Sequence, residues 1–214
     1  SERKGTHQTM LAASYDPHSH ATMAADRWAF EPKWDGYRAL IELSGAGVRL
    51  RGRSGRDLTP EFRRLAQSPE HLAGHSGVLD AEIVALENDR PNFRTLQEHA
   101  APPVPPLRLL VFDVLELDGV DLTSQPWNVR REVLEALDLP LADPAAIGEG
   151  DAGWLLTPLY DGDLAAALHA SSEVAGEGVM AKRRDSQYWA GKRSPAWVKI
   201  KHEADVRVVI GGWR

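Results

Sequence analysis

Short stretches in which apolar and polar residues alternate recur along the chain, and this period of two predicts strands. The predicted strands cover residues 27–32, 37–43, 48–53, 77–86, 107–115, 178–182, 196–201 and 205–211. The stretch at 107–115 is apolar throughout, which is typical of a strand buried on both faces. Residues 1–26 are polar, and we expect them to wrap the surface before the first firm strand.

Helical patterns lie between these strands. The predicted helices begin at Thr59-Pro60-Glu61, cover 92–99, run from Ser124 to about residue 137, and cover 161–170. Thr59 is a suitable N-cap and Pro60 suits a first helical turn. Strands and helices do not alternate regularly as they do in a doubly wound fold, so the pattern predicts mixed sheets with interspersed helices.

Composition narrows the class of protein. With 214 residues, 43% hydrophobic and 26% charged, the chain matches a soluble globular protein of one large domain, or one domain and the start of another. The absence of cysteine excludes disulfides and thiolate metal sites. The sequence has no apolar run long enough to span a membrane and no signal-peptide core, so we expect a cytoplasmic, nucleoid-associated bacterial protein.

Charge is unevenly distributed, although the formal net charge is −6. Basic residues cluster at Arg49, Arg51, Arg53 and Arg56, and again at Lys182, Arg183, Arg184, Lys192, Arg193, Lys199 and Lys201. Such a distribution can hold a phosphate backbone on one face of the molecule. The alternative for each of these side chains is an ordinary solvated position.

The most informative residue is Lys33, in the segment Glu31-Pro32-Lys33-Trp34-Asp35-Gly36-Tyr37-Arg38. A lysine, an Asp-Gly turn and an arginine lie here beside a predicted strand. The spacing Lys-x-Asp-Gly-x-Arg occurs by chance in turns, so its significance depends on the residues further along the chain. Five more short motifs come after it in order: Arg51-Gly52-Arg53-Ser54-Gly55-Arg56, Asp80-Ala81-Glu82, Val111-Phe112-Asp113, Glu177-Gly178-Val179-Met180-Ala181-Lys182 and Trp197-Val198-Lys199-Ile200-Lys201.

This ordered series resembles the nucleotidyltransferase motifs of ATP-dependent DNA ligases and mRNA capping enzymes. The residues within the motifs are most similar to those of the ligase module of bacterial non-homologous end-joining ligases. The resemblance implies an α+β fold, in which two antiparallel sheets flanked by helices enclose a nucleotide pocket between them. It also implies that Lys33 attacks the α-phosphate of ATP and becomes a covalent lysyl-AMP.

The resemblance assigns roles to the residues around Lys33. Asp35 and Gly36 make the turn that presents the lysine. Arg38 is implied near the nucleotide and Arg53 near the 5′-phosphate of a nick, and both are forked donors suited to phosphate. Lys199 and Lys201, with a bound metal, are expected to favour the uncharged amine of Lys33 and to neutralise the α-phosphate. Surface ion pairing is the alternative for the two arginines.

Two glutamates are the expected acidic members of the site. The resemblance implies that Glu82 contacts the ribose hydroxyls or a metal and that Glu177 binds a divalent metal. Carboxylate and phosphate oxygens suit Mg²⁺ or Mn²⁺. The cofactors implied are therefore ATP, as lysyl-AMP, and one of these ions.

The adenine is expected between Phe112 and Met180, because a flat ring and a soft thioether give dispersion contact to both faces of a purine. Glu31 is a candidate to orient the adenine. Core packing is the alternative for Phe112 and Met180, while Asp113 is expected to support the site and Trp197 to lie in the core.

The series departs from the family pattern in one important respect, because the sixth motif is missing. In the family that motif lies in a C-terminal oligonucleotide-binding barrel. We therefore expect an adenylylation domain over 1–202, and the linker and first strand of the barrel over 203–214. Such a chain is expected to accept AMP but to join nicks poorly.

The implied partners are nicked or broken double-stranded DNA, the barrel domain of the same protein, end-joining polymerase or nuclease modules, and an end-binding protein. Two alternatives stay open. The chain could be an RNA ligase or capping-type nucleotidyltransferase, which RNA sealing or GTP preference would identify. It could also be a nucleotide-binding fragment that is inactive without its barrel, with tight AMP binding and no pyrophosphate release.

Overall fold

Two β-sheets face each other, with helices and turns on their outer faces. The computed structural model describes residues 7–16, 23–98, 104–150, 153–174 and 176–202. Strands are numbered along the chain. The first sheet consists, in spatial order, of β1 (Leu11–Ser14), β12 (Arg193–Lys201), β11 (Gly178–Arg183), β2 (Trp28–Pro32) and β10 (Tyr160–Asp161).

The second sheet has its long strands at the centre. In spatial order it consists of β4 (Gly47–Gly52), β3 (Tyr37–Ser44), β5 (Gly77–Glu87), β7 (Leu107–Leu117) and β8 (Val120–Asp121), with β6 (Arg90–Pro91) beside β5 and β9 (Trp154–Leu156) beside β7. Among the described strands, neighbours pair antiparallel except for β1 with β12 and β7 with β9, which are parallel. The expected fold of two mainly antiparallel sheets is therefore confirmed.

The alternation of side chains gives each sheet an inner and an outer face. In β2, Trp28 and Phe30 pack outward against the helix α3 (Leu164–Glu173), whereas Ala29 and Glu31 lie on the inner side. In β11, Val179 and Ala181 are the outward residues. Several polar residues singled out by sequence thus fall on the inner faces of the sheets: Glu31, Arg38, Glu82 and Lys199.

An apolar layer joins the two inner faces. Its buried members are Met10, Ala29, Leu40, Val78, Phe112, Leu115, Trp127, Tyr188 and Trp197. Leu40, Val78 and Phe112 come from the second sheet, and Trp197 comes from β12 of the first. Burial of these large side chains holds the sheets at a fixed separation, and the space left beside them is available for a ligand.

Turns and helices complete the outer faces. The outer side of the second sheet packs against Leu58, Phe62 and Leu65 and against α1 (Phe93–Gln97). The helix α2 (Trp127–Glu135) packs on β7. α1 and α3 begin at Asn92 and Asp163, whose side chains accept hydrogen bonds from the amides of Thr95 and Ala166 and so cap the helices.

Every predicted strand that falls in the described residues corresponds to an observed strand, within a few residues. The expectation for the N-terminal stretch was incomplete, because Leu11–Ser14 forms β1 on the edge of the first sheet. The short strands β6, β8, β9 and β10 had no periodic signal long enough to detect. The predicted strand at 205–211, like the linker at 203–214, lies outside the described residues.

The helix predicted at Thr59-Pro60-Glu61 is wrong, since residues 59–67 form successive turns. The Thr59 hydroxyl does not cap a helix but accepts a hydrogen bond from the amide of Leu50 at 2.9 Å. The Thr59 amide in turn donates to the Asp57 carboxylate at 3.0 Å. The bond with Leu50 attaches the segment to β4, and this contact overrides the local helix signal.

Candidate active site

A narrow pocket of about 130 Å³ lies between the inner faces of the sheets. Its lining residues are Glu31, Pro32, Lys33, Trp34, Arg38, Glu82, Phe112, Met180, Lys182 and Trp197. A wider cleft of about 730 Å³ adjoins it and shares Arg38, Glu82 and Met180 with it. The two cavities together form one continuous site with a narrow aromatic end and a broad basic end.

Lys33 follows β2 and lies on the rim of the narrow pocket. Its amide donates to the carbonyl of Gly178 at 2.8 Å, which ties the residue to the start of β11. Its Nζ donates to the Glu177 carboxylate, and Lys201 Nζ lies 4.0 Å from the same carboxylate. Burial alone would raise the pKa of Glu177, but the hydrogen bond from Lys33 and the nearby lysine charges lower it.

The Asp35-Gly36 turn carries the chain from the first sheet into the second. A Cβ on Gly36 would lie 2.0 Å from the carbonyl oxygen of Ile83, so only glycine allows β3 to start this close to β5. Burial and the charge of Glu177 raise the pKa of Asp35, while Lys33 and Lys201 act in the opposite direction. The turn therefore brings Asp35 into the same charged group as Lys33 and Glu177.

Arg38 is held from behind by Asp80, a carboxylate to which the motifs assigned no role. Its Nε and Nη2 donate to the two oxygens of Asp80 at 2.5 and 2.6 Å. The hydroxyl of Tyr188 donates to Asp80 at 2.5 Å and accepts from the amide of Met10 at 2.9 Å. Burial alone would lower the pKa of Arg38, but Asp80 raises it, so the guanidinium is a permanent cation in the site.

Glu82 lies on β5 opposite Arg38 of β3 and lines both cavities. Burial raises the pKa of Glu82 to about 7, although the charges of Arg38 and Lys33 oppose the shift. Its carboxyl group can therefore change charge near neutral pH. A ligand cation or a hydroxyl donor in the pocket would favour the charged form.

The predicted metal ligands Glu82, on β5, and Glu177, immediately before β11, are separate carboxylates, and each interacts with Lys33. Within the part of the chain that the structure describes, no three His, Asp or Glu side chains cluster as a self-sufficient metal cage. The donor set fits Mg²⁺ or Mn²⁺ all the same, because such ions take one or two carboxylates and complete their coordination with phosphates and water.

Phe112 and Met180 both line the narrow pocket, as expected for residues that would hold a flat base. Phe112 also belongs to the layer between the sheets, so packing and pocket lining are not exclusive. Trp197 is buried as predicted, and it lines the pocket as well. Its ring meets that of Phe112 edge to face, with the centroids 6.2 Å apart.

Glu31 is buried within an ionic network at the base of the narrow pocket. Lys182 Nζ lies 2.6 Å from the Glu31 carboxylate, and Arg131 Nη1 lies 3.5 Å from it. Burial raises the pKa of Glu31 and lowers that of Lys182. Lys182 Nζ also lies 4.6 Å from the ring centroid of Phe112 and 4.3 Å from that of Trp197, so a cation backs the aromatic wall.

The remaining predicted residues lie in or beside the wide cleft. Arg53 and Lys199 line it, together with Gly36, Arg56 and Arg193. Lys201 is more exposed and lies beside Glu177. This end of the site is an open basic surface, suited to phosphate groups that extend beyond the narrow pocket.

Four members of the site were not predicted from the sequence: Asp80, Arg131, Lys182 and Tyr188. Lys182 and Asp80 could have been proposed as site residues, because they lie within the recognised motifs. Arg131 had no comparable signal, since it reaches Glu31 from a helix 100 residues away along the chain. Asp113, which was expected to support the site, accepts hydrogen bonds on both of its oxygens from Arg130 at 2.8 Å, and both side chains are fully buried.

Comparison with known proteins identifies the family of the chain. Residues 9–201 match the family model described as ATP dependent DNA ligase domain. A multifunctional non-homologous end joining protein LigD from Mycobacterium bovis is 43% identical over 201 residues, covering 92% of this chain and 25% of that protein. In the described residues, no helix is long and apolar enough to cross a membrane.

Solved structures show the same relationship. The ligase domain of M. tuberculosis LigD has a TM-score of 0.76 and 38% identity, covering 92% of this chain and 60% of that one. A mycobacterial DNA ligase D complexed with ATP and MES has a TM-score of 0.75 and 39% identity, with the same coverage.

The two-sheet fold and the order of the motifs are those of ligase domains of the ATP-dependent class. The chain belongs to the ATP-dependent DNA ligase domain family. It spans about a quarter of the length of the multifunctional LigD proteins that it matches.

Proposed function

We propose that this chain is the adenylylation domain of a bacterial end-joining DNA ligase. It transfers AMP from ATP to Lys33 and then to the 5′-phosphate of a DNA strand in double-strand break repair. The position of Lys33 carries the proposal, because the residue lines the aromatic pocket, which shares Arg38 and Glu82 with the basic cleft. A nucleotide with its base in the pocket and its phosphates toward the cleft would present its α-phosphate near Lys33.

The first step is attack by the uncharged Lys33 amine on the α-phosphorus of ATP. A P–N bond forms, the bond to the β-phosphate oxygen breaks, and pyrophosphate leaves while the amine loses a proton. In the free chain Lys33 Nζ is engaged by Glu177. We infer that ligand binding redirects this carboxylate, and that Arg38, held rigidly by Asp80, stabilises charge on the nucleotide.

In each of the two later steps, an oxygen nucleophile attacks a phosphorus atom. An oxygen of the DNA 5′-phosphate attacks the lysyl-AMP, so that a P–O bond forms and the P–N bond breaks. The 3′-hydroxyl then attacks the 5′-phosphorus, and AMP leaves as the strands join. Arg53 and Lys199 in the wide cleft are the side chains proposed to hold the DNA phosphates.

Glu82 and Glu177 are the residues proposed to hold Mg²⁺ or Mn²⁺, which would neutralise phosphate charge when bound. Phe112 and Met180 would contact the adenine, Glu31 would orient it, and Asp35, Gly36 and Lys201 would position the reacting groups. A relative solved with ATP supports ATP as the donor. A DNA substrate implies activity in the bacterial cytoplasm, with the barrel domain, other end-joining modules and an end-binding protein as proposed partners.

The test is the intact mass of the chain before and after incubation with ATP and Mg²⁺, and again after pyrophosphate. We expect a gain of one AMP that pyrophosphate removes. Lys33→Ala and Lys33→Arg should both abolish the gain, and the arginine variant keeps the positive charge. Arg63→Ala, at an exposed arginine that lines neither cavity, is the matched control and should react normally. A mass gain in the Lys33 variants would refute the proposal.

The same assay, with other nucleotides and substrates, distinguishes the alternative functions. A capping-type enzyme would gain the mass of GMP from GTP, and an RNA ligase would pass AMP to RNA nicks in preference to DNA nicks. Reversible AMP binding without a mass gain would identify a nucleotide-binding fragment.

A further inference from the structure

One tryptophan differs from the other tryptophans that the structure describes. Trp28, Trp34, Trp127, Trp154 and Trp197 are each 9% exposed or less, whereas Trp189 is 49% exposed. A large aromatic ring on the surface gains nothing from core burial. The exposed ring therefore either contacts a binding partner or has no function.

Trp189 is presented by a rigid loop. Its amide lies 3.1 Å from the sulfur of Met10, and the adjacent Tyr188 is buried and donates to Asp80. The amide of Lys192 donates to the carbonyl of Trp189 at 3.0 Å, and Gly191 between them has a φ of +73°. This is a tight turn in which glycine supplies the left-handed residue. The turn fixes Trp189 and Lys192 side by side, with Lys192 Nζ 5.6 Å from the ring centroid.

The ring forms one wall of a groove of about 610 Å³, which we call the tryptophan groove. Its other lining residues include Arg183, Asp185, Gln187, Lys192 and Pro195. Arg183 pairs with Asp185 at 2.6 Å, so the lining carries an excess of positive charge. The volume lies within the range of small-ligand sites.

The tryptophan groove adjoins the wide cleft of the candidate active site at Arg193. Arg193 lines both the groove and the wide basic cleft, and its guanidinium donates to the carbonyl of Ala12 on β1. A polyanionic strand that leaves the cleft past Arg193 would therefore reach the groove. An exposed aromatic ring beside lysine and arginine is the combination that binds unpaired nucleotides, since a base stacks on the ring and its phosphates meet the cations.

We propose that the tryptophan groove binds an unpaired nucleotide of a DNA overhang next to the end being joined. The base stacks on Trp189, and Lys192 and Arg193 contact its flanking phosphates. This inference rests on the proposed function, because it takes the wide cleft as the DNA site. It adds to that function a contact selective for single-stranded extensions, which a blunt duplex cannot make.

The test measures binding of the chain, without ATP, to fluorescein-labelled duplexes with 5′-hydroxyl ends. One duplex carries a thymidine overhang, and the other is blunt and otherwise identical. We expect Trp189→Ala to weaken binding of the overhang duplex about tenfold and to leave the blunt duplex unchanged. Trp189→Phe, which keeps a stacking ring, should retain most of the affinity. Leu141→Ala, at another exposed apolar side chain that lines neither cavity, is the control and should bind both duplexes normally.

Tryptophan fluorescence provides a second, direct measurement of the proposed contact. Because the five other described tryptophans are buried, quenching of tryptophan fluorescence by the overhang should be lost in Trp189→Phe. Equal losses on the blunt and overhang duplexes, or no loss in Trp189→Ala, would overturn the inference.

The two proposals fail separately. Adenylylation of Trp189→Ala at the normal rate, with unchanged overhang binding, would refute the groove and leave the ligase function standing. If the parent chain gained no AMP but bound overhangs through Trp189, the proposed catalytic function would fail and the groove would remain.

Discussion

At the scale of single residues, the site places a carboxyl group that changes charge near neutral pH opposite an arginine that stays charged. Arg38 is fixed by Asp80 and stays charged, whereas Glu82 opposite it has a pKa raised by burial to about 7. The site thus combines a constant cation with a carboxyl group that ionises near neutrality. This arrangement predicts that pH acts on the site through Glu82.

The Glu82→Gln variant tests this prediction. Below the ordinary glutamate pKa the group is protonated in the folded and unfolded states and adds no pH dependence. As pH rises toward 7, the folded state keeps a proton that the unfolded chain has released, so stability falls, and it stays lower above 7. We expect wild-type stability to fall between pH 5 and 8 by about 2–3 kcal/mol more than that of Glu82→Gln.

Urea unfolding of both proteins at each pH measures the difference. Parallel pH profiles would show that Glu82 does not ionise with a raised pKa. The variant should also fail to gain AMP at the wild-type rate, and this loss should not recover at high pH.

At the scale of elements, a buried ion pair determines how α2 sits on β7. Arg130 of α2 and Asp113 of β7 are both fully buried and form two hydrogen bonds of 2.8 Å. Arg130 also donates to the carbonyls of Gln125 and Ser186, so it attaches the loop before Tyr188 as well. The same pair therefore supports the Asp80–Arg38 contact from a distance.

Arg130→Met should lower stability by about 3–5 kcal/mol, because it leaves the Asp113 carboxylate buried without its cation. The double variant Arg130→Met, Asp113→Leu should recover much of this loss, since it removes the charge that lacked a partner. Chemical denaturation of the single and double variants provides the measurement. Additive losses in the double variant would contradict the role assigned to the pair.

At the scale of the whole molecule, charge is segregated although the net value is −6. The wide cleft is lined by Arg38, Arg53, Arg56, Arg193 and Lys199, with Glu82 as its acidic member. An acidic protein with such a basic cleft should bind duplex DNA through the cleft and lose affinity steeply with salt.

Arg53→Ala should reduce the slope of log affinity against log salt by about 1, because it removes one phosphate contact. Titration of a nicked duplex with 5′-hydroxyl ends at several salt concentrations measures the slope. Arg63→Ala serves again as the control and should keep the parent slope. If Arg53→Ala lowers affinity at all salts without changing the slope, Arg53 does not contact phosphate.

The sequence predicted the strands and the family of this protein better than it predicted the contacts within the site. The alternation in 27–32, 37–43 and 178–182 identified strands, because a period of two follows from the pleat of any strand. The motif order identified the family, and the family model and the solved structures confirm it. The roles of the individual site residues remain predictions that the variants above test.

Local signals failed where a distant partner competed with them. Thr59 had the chemistry of a helix cap, but its hydroxyl meets the amide of Leu50. The strand β1 had no pattern of its own and exists because β12 offers a parallel edge. In both cases the deciding hydrogen bond comes from a segment that a local pattern cannot include.

The sequence by itself determined the order of the chemical groups along the chain: Lys33, Glu82, Glu177 and Lys199 stand in motifs whose spacing and periodicity carry the signal. Only the tertiary structure decided which side chains meet. Arg131 reaches Glu31, Tyr188 reaches Asp80, and Trp189 alone of the described tryptophans stays exposed. Burial and long-range pairing depend on how two sheets pack, and residues 100 positions apart leave no local trace of that contact.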